Sequence, residues 1–293
     1  MDLVLGATGL LGTEICRRLR DRRDDVRALV RKTSEALKVE RLRSFGCEIV
    51  IGDLQDTASL ERACKGIDTV ISTATTTMSR QAHDSLEKTD LQGLLNLIDA
   101  AERNDVKRFV LISFSGNMEG DSKLHAAKRT VEEKLRESGV SYTILRPSFF
   151  MEVWFTPALG FDVKNRKAQI FGAGEERLSF ISLFDVAEFA VRAASSDKAA
   201  NQTLELGGPE PVAPNEVVKI FEREMGRPFE VTHVSVDSLK QQYATATDSY
   251  QKAFTSLMLD YCVGDEIDMT DPLKKFPVKL TSVRDFARKV KSR

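Results

Sequence analysis

The chain has 293 residues, 42% of them hydrophobic and 30% charged, a composition typical of one or two globular domains and unlike that of a disordered protein. Its 43 lysines and arginines nearly balance 44 aspartates and glutamates, and the net charge of −1 gives no electrostatic reason to expect nucleic acid or an anionic membrane as a partner. No apolar run approaches the roughly 20 residues that span a bilayer, so membrane insertion is not expected.

The four cysteines, Cys16, Cys47, Cys64 and Cys262, lie far apart in the sequence and have no histidine at ligand spacing. This pattern predicts neither a disulfide framework nor a metal site. The chain starts on an apolar strand at residues 2–5, without the pattern of a signal peptide. We therefore expect a cytoplasmic protein.

Short apolar runs alternate with amphipathic stretches through the first half of the chain. The expected strands are residues 3–5, 26–30, 48–51, 69–72, 108–113 and 142–145. The expected helices, with apolar residues three and four apart, include 11–22, 58–64, 85–103 and 124–137. Apolar strands separated by helices predict an α/β protein with a doubly wound parallel sheet, the Rossmann architecture.

The alternation changes after Pro147. Further strands are expected at 203–206 and 229–234, and further helices at 184–194, 215–225, 249–261 and 281–291. We expect an NADP-binding Rossmann domain over residues 1–150, to which 178–207 return. Residues 151–177 and 208–293 are expected to form a smaller C-terminal α+β lobe that holds the substrate or a partner.

The first expected strand leads into a glycine-rich turn, Gly6-Ala7-Thr8-Gly9-Leu10-Leu11-Gly12, and then into a helix. In dinucleotide-binding proteins the first such glycine permits the tight turn, the second admits the pyrophosphate and the third lets the helix pack on the strand. The N–H groups of the first helical turn then face the phosphates. The spacing predicts a nucleotide site at Gly6, Thr8, Gly9, Leu10, Leu11 and Gly12, and the alternative is a bare strand-to-helix turn.

Two cations, Arg31 and Lys32, follow the second expected strand. A cofactor with a free ribose 2′-hydroxyl favours an acidic residue there, whereas two cations suit a 2′-phosphate, so NADP(H) is predicted over NAD(H). The alternative is a pair of solvated residues that open a basic helix. After the third strand, Asp53 and Leu54 are expected to contact the adenine, although an aspartate there also suits a helix cap.

With these residues identified, the chain resembles the NmrA-like group of atypical short-chain dehydrogenases/reductases, which includes quinone and triphenylmethane reductases, isoflavone-reductase-type enzymes and redox-sensing regulators. The matching segments are residues 6–12, 52–54, 106–110, Lys128 with 131–133, 142–147 and 180–193. The resemblance implies an NADP(H) cofactor that lies across the strand ends, with Thr73 and Ala74 beside it. It also implies that Pro147, Phe149 and Phe150 lie against the nicotinamide.

The sequence departs from typical short-chain dehydrogenases at the catalytic tyrosine. Lys128 matches the active-site lysine, but Leu124 stands four residues earlier, where the proton-donating tyrosine is expected. Lys128 is still expected to bind the cofactor ribose and to favour a developing anion. The alternative is a surface pair between Lys128 and Glu132.

Two further residues are candidates for catalysis. Ser115 matches the family's catalytic serine, although serine is common in loops. His125 lies one helical turn before Lys128 and suits proton transfer near neutral pH. A lone histidine without a carboxylate nearby in sequence is equally consistent with a surface residue.

The missing tyrosine narrows the expected chemistry. A simple ketone needs a proton donor, whereas a quinone, cationic dye or imine accepts a hydride without one. Phe149, Phe150, Trp154 and Phe155 are consistent with an aromatic surface beside the nicotinamide or with plain packing. We therefore predict an NADPH-dependent reductase of a quinone-like or other electron-poor aromatic acceptor. The alternatives are a non-catalytic NADP(H) sensor that controls a protein partner and an assembly factor that retains the fold.

Overall fold

The computed structural model describes residues 1–77 and 81–291, which fold into two compact units. The first unit contains Met1–Ser113, Ala126–Arg146 and Val186–Leu204, and the second contains Phe114–His125, Pro147–Asp185 and Glu205–Arg293. Residues 114–125, 147–150, 178–185 and 205–207 belong to the second unit, whereas the division expected from the sequence includes them in the first. The difference arises because the chain passes between the units inside a helix and a strand, without a linker that the sequence would reveal.

The main sheet is the predicted Rossmann-type sheet. Its strands are β1 (Asp2–Leu5), β2 (Val26–Val30), β3 (Glu48–Ile51), β4 (Thr69–Ser72), β5 (Arg108–Ile112), β6 (Ser141–Pro147) and β9 (Gln202–Leu206). They lie in the order β3-β2-β1-β4-β5-β6-β9, and β1 to β6 pair in parallel. This arrangement confirms the predicted fold, and each strand expected in the first half of the chain overlaps an observed one.

Helices follow the strands as the apolar spacing predicts. Their bounds are α1 (Leu10–Asp21), α2 (Ala36–Ser44), α3 (Thr57–Cys64), α4 (Leu94–Arg103), α5 (Lys123–Glu137), α6 (Met151–Trp154), α7 (Leu183–Ala194), α8 (Pro214–Met225), α9 (Val236–Thr245), α10 (Ser249–Val263), α11 (Thr270–Lys275) and α12 (Val283–Lys291). The helix expected over 85–103 is wrong in one respect, because Leu86–Gly93 is π-helical and only then continues as α4. Such turns are frequent at functional sites.

The second unit has its own small sheet and an aromatic core. The strands β7 (Phe161–Asp162), β8 (Lys167–Phe171) and β10 (Glu230–Val234) form a sheet in the order β10-β8-β7. Phe155, Phe180, Phe221 and Tyr261 are among the rings buried in this unit. The apolar pattern did not indicate α6, α9, α11, β7 or β8. Exposed Lys167 and Gln169 interrupt the apolar residues of β8, so no apolar run marks this strand.

A buried carboxylate holds several elements of the first unit together. Glu132, on α5, is fully buried and accepts hydrogen bonds from Arg129 (2.9 Å), Arg146 (3.1 Å), Arg136 (3.3 Å) and Ser113 (2.5 Å). Burial by itself raises the pKa of Glu132, but the hydrogen bonds from Arg146 and Ser113 and the charge of Arg129 outweigh it and hold the pKa below its usual value of 4.5. Glu132 is therefore ionised and joins α5 to β6 and to the end of β5.

Replacing Glu132 by glutamine removes the shared negative charge and keeps the size of the side chain. We expect the free energy of unfolding at pH 7 to fall by about 3 kcal/mol, because cations are left without their buried partner. Since the folded-state pKa is lowered, this contribution is present above pH 4.5 and shrinks as the pH falls through the folded pKa. Urea denaturation measures both effects, with exposed Glu133→Gln as the control. If Glu132→Gln and the unmutated protein are equally stable at pH 7, the arginines do not need the negative charge of Glu132.

Candidate functional site

The strand order places a crevice at the carboxyl ends of β1 and β4. From β1 the chain builds outward on one side through β2 and β3 and on the other through β4, β5 and β6. Ligands of doubly wound sheets bind where the order reverses in this way. Gly6 after β1 and Thr73 after β4 touch here, because a Cβ added to Gly6 would lie 2.5 Å from Thr73 Oγ1. The structure thus brings the predicted residues Thr73 and Ala74 beside the glycine-rich turn.

Two of the three glycines in the turn are required by its geometry. Gly6 has a φ of +72°, and a Cβ on Gly12 would lie 2.2 Å from the Gly6 carbonyl oxygen. Gly9 differs, because its φ of −77° and ψ of 168° suit any residue and its nearest obstacle is 3.2 Å away. A Cβ on Gly9 would meet only the Gly6 carbonyl oxygen within 4 Å, a tight contact, so the fold requires glycine less strictly here than at Gly6 or Gly12.

The first turn of α1 presents unused hydrogen-bond donors. No described residue accepts a hydrogen bond from the backbone N–H of Leu10, Leu11 or Gly12, and Gly9 provides no side-chain cap. The first turn also lacks an acidic residue, and the Leu10 side chain is 66% exposed. Donors and the positive end of the helix dipole therefore face outward together, the arrangement that binds a phosphate.

The two cations after β2 have different surroundings. Arg31 Nη1 donates to Asp84 Oδ2 at 2.7 Å, and the Asp84 side chain is almost completely buried. Burial raises the pKa of Asp84, but the Gln81 N–H and the Arg31 guanidinium lower it further, so the net pKa lies below its usual value. Lys32 is exposed and makes no ion pair with any residue in 1–77 or 81–291. The alternative expected from the sequence is that both residues are solvated. This describes Lys32 and is wrong for Arg31.

Asp53 and Leu54 lie at the end of β3. Asp53 accepts a hydrogen bond from the Gln55 N–H at 2.9 Å, whereas α3 is capped by Asp56, which accepts from the Ser59 N–H. The capping alternative for Asp53 is thus wrong. Leu54 is buried against Gly93, and a Cβ on that glycine would lie 2.7 Å from the leucine. Their contact with an adenine stays a prediction.

Lys128 is a buried lysine whose ammonium group has no hydrogen-bond or ion-pair partner among residues 1–77 and 81–291. The residue is 4% exposed. The surface pair with Glu132 is therefore wrong, since the arginines occupy that carboxylate. Burial lowers the pKa of Lys128, and the negative charges of Asp90 and Glu132 offset part of this effect. Burying an ammonium group without a partner costs free energy, so a lysine at this position suits the binding of a ligand.

Asp90 is a residue of this unit that the sequence analysis missed. It is fully buried in the π-helical turn and accepts hydrogen bonds from Thr75 Oγ1 at 2.6 Å and from the Thr76 N–H at 3.1 Å. These bonds hold the segment that follows β4, next to Thr73 and Ala74. The available signal was its position in the expected helix, four residues after Leu86 and four before Leu94, which places an aspartate on the apolar face.

The remaining predicted residues lie in the second unit. Phe149 is buried and packs edge-on against Trp154 (4.8 Å between centroids) and Tyr261 (5.5 Å). Pro147 is buried, and Phe150 is half-buried. Packing therefore explains Phe149 and Trp154, and the contact of Pro147, Phe149 and Phe150 with a nicotinamide stays a prediction.

Ser115 and His125 are both hydrogen-bonded to aspartates that lie far away in the sequence. Ser115 is fully buried and donates its hydroxyl to Asp265 Oδ1 at 2.7 Å. His125 is 4% exposed, and its Nε2 lies 2.7 Å from Asp260 Oδ2. The surface interpretation of His125 is wrong, and its carboxylate partner escaped notice because 135 residues separate the two.

The described residues contain neither a metal-ligand cluster nor a membrane-spanning helix. Within 1–77 and 81–291, no three His, Cys, Asp or Glu side chains are grouped as metal ligands. Among the described helices, none has the length and apolar character needed to cross a bilayer.

Known proteins resemble the chain along most of its length. The NmrA-like family matches residues 3–287. The NAD(P)H azoreductase of Xenophilus azovorans is 28% identical over 272 residues, which are 90% of each chain. The photosystem II assembly factor Ycf39 of Synechocystis sp. is 30% identical over 246 residues, which cover 81% of this chain and 72% of that protein.

Solved structures share the fold. The NADPH-dependent quinone oxidoreductase of Escherichia coli in complex with NADPH has a TM-score of 0.79 at 18% identity, with 99% of both chains covered. The triphenylmethane reductase of Citrobacter sp. complexed with NADP(H) has a TM-score of 0.79 at 19% identity and covers 99% of this chain and 100% of its own. At these identities the likeness concerns the fold.

The burial of Lys128 predicts an effect on stability that is independent of any reaction. Lys128→Met keeps the length of the side chain and removes the unpaired charge, so we expect the free energy of unfolding at pH 7 to rise by about 1–2 kcal/mol. Because the folded-state pKa of Lys128 is lowered, the gain is full below the folded pKa and shrinks as the pH rises from the folded pKa towards 10.5.

Urea denaturation at pH 7 and pH 10 measures this difference. Exposed Lys123→Met, on the same helix, is the control and is expected to change stability by no more than about 0.5 kcal/mol. A Lys128→Met protein less stable than the unmutated one would mean that the ammonium group contributes to folding.

Proposed function

We propose, from its membership of the NmrA-like family, that this chain is an NADPH-dependent oxidoreductase that reduces a quinone-like or other electron-poor aromatic acceptor. The family is the one expected from the sequence. The observation that carries the proposal is the combination, in one unit, of the uncapped first turn of α1 and the unpaired buried Lys128. Both features lower stability, and a bound dinucleotide would satisfy both.

The residues of the first unit fit an NADP-type cofactor. The N–H groups of Leu10, Leu11 and Gly12 would hold the pyrophosphate, the cations Arg31 and Lys32 the 2′-phosphate, and Lys128 the ribose of the nicotinamide half. When bound, the nicotinamide supplies a hydride. The names of the relatives support this choice, since an NAD(P)H azoreductase and two reductases solved with NADPH or NADP(H) are among them.

The residues expected near the reacting atoms favour one class of acceptor. The sequence lacks the tyrosine that protonates a simple carbonyl, so an acceptor whose reduced form is neutral or stabilised by resonance is favoured. The positive charge of Lys128 would stabilise negative charge on the reduced acceptor. Asp90 would act indirectly, by holding the segment after β4 through Thr75 and Thr76.

One observation favours a second function, in which the chain binds NADP(H) without turnover and controls a protein partner. The relative from Synechocystis sp. is named as a photosystem II assembly factor. Such a protein would keep the features of the first unit, because cofactor binding is retained, and would show no acceptor-dependent oxidation of NADPH. Fold alone does not separate the two functions.

The first prediction that follows from the proposed function concerns the choice of cofactor. We expect NADPH to bind at least tenfold more tightly than NADH, because one charge contact to the 2′-phosphate contributes about 1–2 kcal/mol and tenfold requires about 1.4 kcal/mol. Lys32→Ala should remove most of this preference and leave NADH binding unchanged. The control is Lys38→Ala, an exposed lysine that pairs with Glu35.

Fluorescence titration of both cofactors measures the preference. Equal affinity of the unmutated protein for NADPH and NADH would contradict the assignment of the 2′-phosphate to Arg31 and Lys32. An unchanged preference in both Lys32→Ala and Arg31→Ala would do the same.

The second prediction separates reductase from sensor. The unmutated protein should oxidise NADPH when a quinone, an azo compound or a cationic triphenylmethane dye is added, and Gly9→Val should abolish binding and turnover together. Valine fits the backbone conformation of Gly9, so the variant should melt like the unmutated protein, whereas Gly12→Val should not fold because of the 2.2 Å contact with Gly6. Tight NADPH binding without turnover on any acceptor would favour the sensor instead.

A further inference from the structure

Asp84 joins three segments of the first unit that follow β2, β3 and β4. Its Oδ2 accepts hydrogen bonds from Arg31 Nη1 and from the Gln81 N–H, both at 2.7 Å. Its Oδ1 lies 3.4 Å from Gln55 Nε2 and 3.4 Å from Thr89 Oγ1. Arg31 directly follows β2, Gln55 follows β3, and Asp84 itself lies between β4 and the π-helical turn. The carboxylate is therefore placed beside the two cations expected to select the cofactor.

The carboxylate of Asp84 is ionised and has a single cation as its partner. Burial acts to raise the pKa of this carboxyl, but the Gln81 N–H and the Arg31 guanidinium hold it below the usual value of 3.8. Among the lysines and arginines of residues 1–77 and 81–291, only Arg31 forms an ion pair with Asp84. The two side chains together have no net charge.

The guanidinium of Arg31 keeps part of its surface open to a ligand. Its side chain is 29% exposed, and its Nε and Nη2 donate to no residue in the described part of the chain. A guanidinium has five N–H donors in a planar fork, so one edge can bind a carboxylate while another binds a phosphate. Arg31 can therefore contact an anionic ligand without leaving Asp84.

The buried carboxylate changes the charge that the end of β2 presents. Arg31 and Lys32 carry two positive charges, and Asp84 subtracts one of them, so the three residues have a net charge of +1. A carboxylate close to a phosphate weakens the attraction that neighbouring cations exert on it. The pair of cations read from the sequence is thus a weaker anion site than its two charges suggest.

We propose that Asp84 sets the strength of the cofactor preference, because it compensates Arg31 and leaves Lys32 as the uncompensated cation that selects the 2′-phosphate; this rests on the proposed binding of NADP(H). Asp84 thus acts through the charge it places beside Arg31. A moderate affinity for the 2′-phosphate permits exchange of the oxidised for the reduced cofactor, which a reductase and a sensor both need.

Asp84→Asn removes the negative charge and keeps the size of the side chain. The amide oxygen can accept from Arg31 and from the Gln81 N–H in the place of Oδ2, and the amide nitrogen can donate to Thr89 Oγ1. We expect NADPH to bind on the order of tenfold more tightly than to the unmutated protein, and NADH to change by no more than about twofold. Fluorescence titration at about 0.01 M ionic strength, where charges are weakly screened, measures both affinities.

A double variant tests whether Arg31 can replace Lys32 once Asp84 is neutral. Lys32→Ala alone should lose most of the preference for NADPH, because the remaining ion pair has no net charge. Lys32→Ala/Asp84→Asn should recover most of that preference, since Arg31 is then uncompensated, and adding Arg31→Ala should abolish the recovery. Each result is a ratio of two affinities for the same protein, so general damage to the fold does not produce this pattern.

Asp68→Asn is the matched control. Asp68 also pairs with a lysine, Lys107 at 2.6 Å, but it immediately precedes β4 and so lies at the opposite end of that strand from the candidate site. Its substitution should leave the preference within about twofold. The gain in Asp84→Asn should shrink in 1 M salt, where the Debye length is about 3 Å. If thermal melting shows that Asp84→Asn does not fold, Asp84→Ser removes the same charge with a smaller side chain and is titrated instead.

The titrations separate this inference from the proposed function. An unchanged or lower preference for NADPH in folded Asp84→Asn, or a Lys32→Ala/Asp84→Asn protein without a preference, would overturn the role of Asp84 and leave the assignment of NADPH intact. An unmutated protein that binds NADPH no more tightly than NADH, or binds neither, would instead contradict the proposed cofactor, and with it the role of Asp84.

Discussion

The contact between Gly12 and the Gly6 carbonyl is the constraint on which the candidate site depends. A Cβ on Gly12 would lie 2.2 Å from that oxygen, so α1 approaches the end of β1 more closely than any other residue would allow. The approach directs the first turn of α1 towards the crevice between the ends of β1 and β4, where Thr73 also packs on Gly6. Because the N–H groups of that turn have no acceptor among the described residues, the packing of one helix leaves donors of the kind that bind a phosphate.

The two buried charged residues of α5 show how the same helix serves stability and ligand binding. Glu132 is surrounded by hydrogen-bond donors, and its charge is compensated within the fold. Lys128, one turn earlier, has no such partner although it is almost as deeply buried. Proteins tolerate a destabilising group of this kind where function requires it, and this contrast, more than the burial of either residue, supports the proposal that Lys128 binds a ligand.

The sequence predicted the features that depend on local pattern. Apolar runs located the strands of the main sheet, and the glycine spacing located the turn, because both signals lie within a few consecutive residues. It did not predict contacts between distant residues: Asp84 with Arg31, Asp265 with Ser115, and Asp260 with His125 are each brought together only by the fold. The interpretation of His125 as a surface residue failed for this reason, since a histidine can be judged only with its partners. The strand β8 was missed because exposed Lys167 and Gln169 interrupt its apolar residues, so no apolar run marks it.

The candidate residues are divided between the two units, and this division is relevant to a family that contains both reductases and an assembly factor. The residues expected to hold the pyrophosphate, the 2′-phosphate and the ribose all belong to the first unit, whereas Ser115 and His125 belong to the second. Substitutions in the second unit would leave the glycine turn and Lys128 unchanged. A protein of this fold that lost turnover through such substitutions would keep the residues expected to bind the cofactor, which is why the fold alone does not separate a reductase from an NADP(H)-binding sensor.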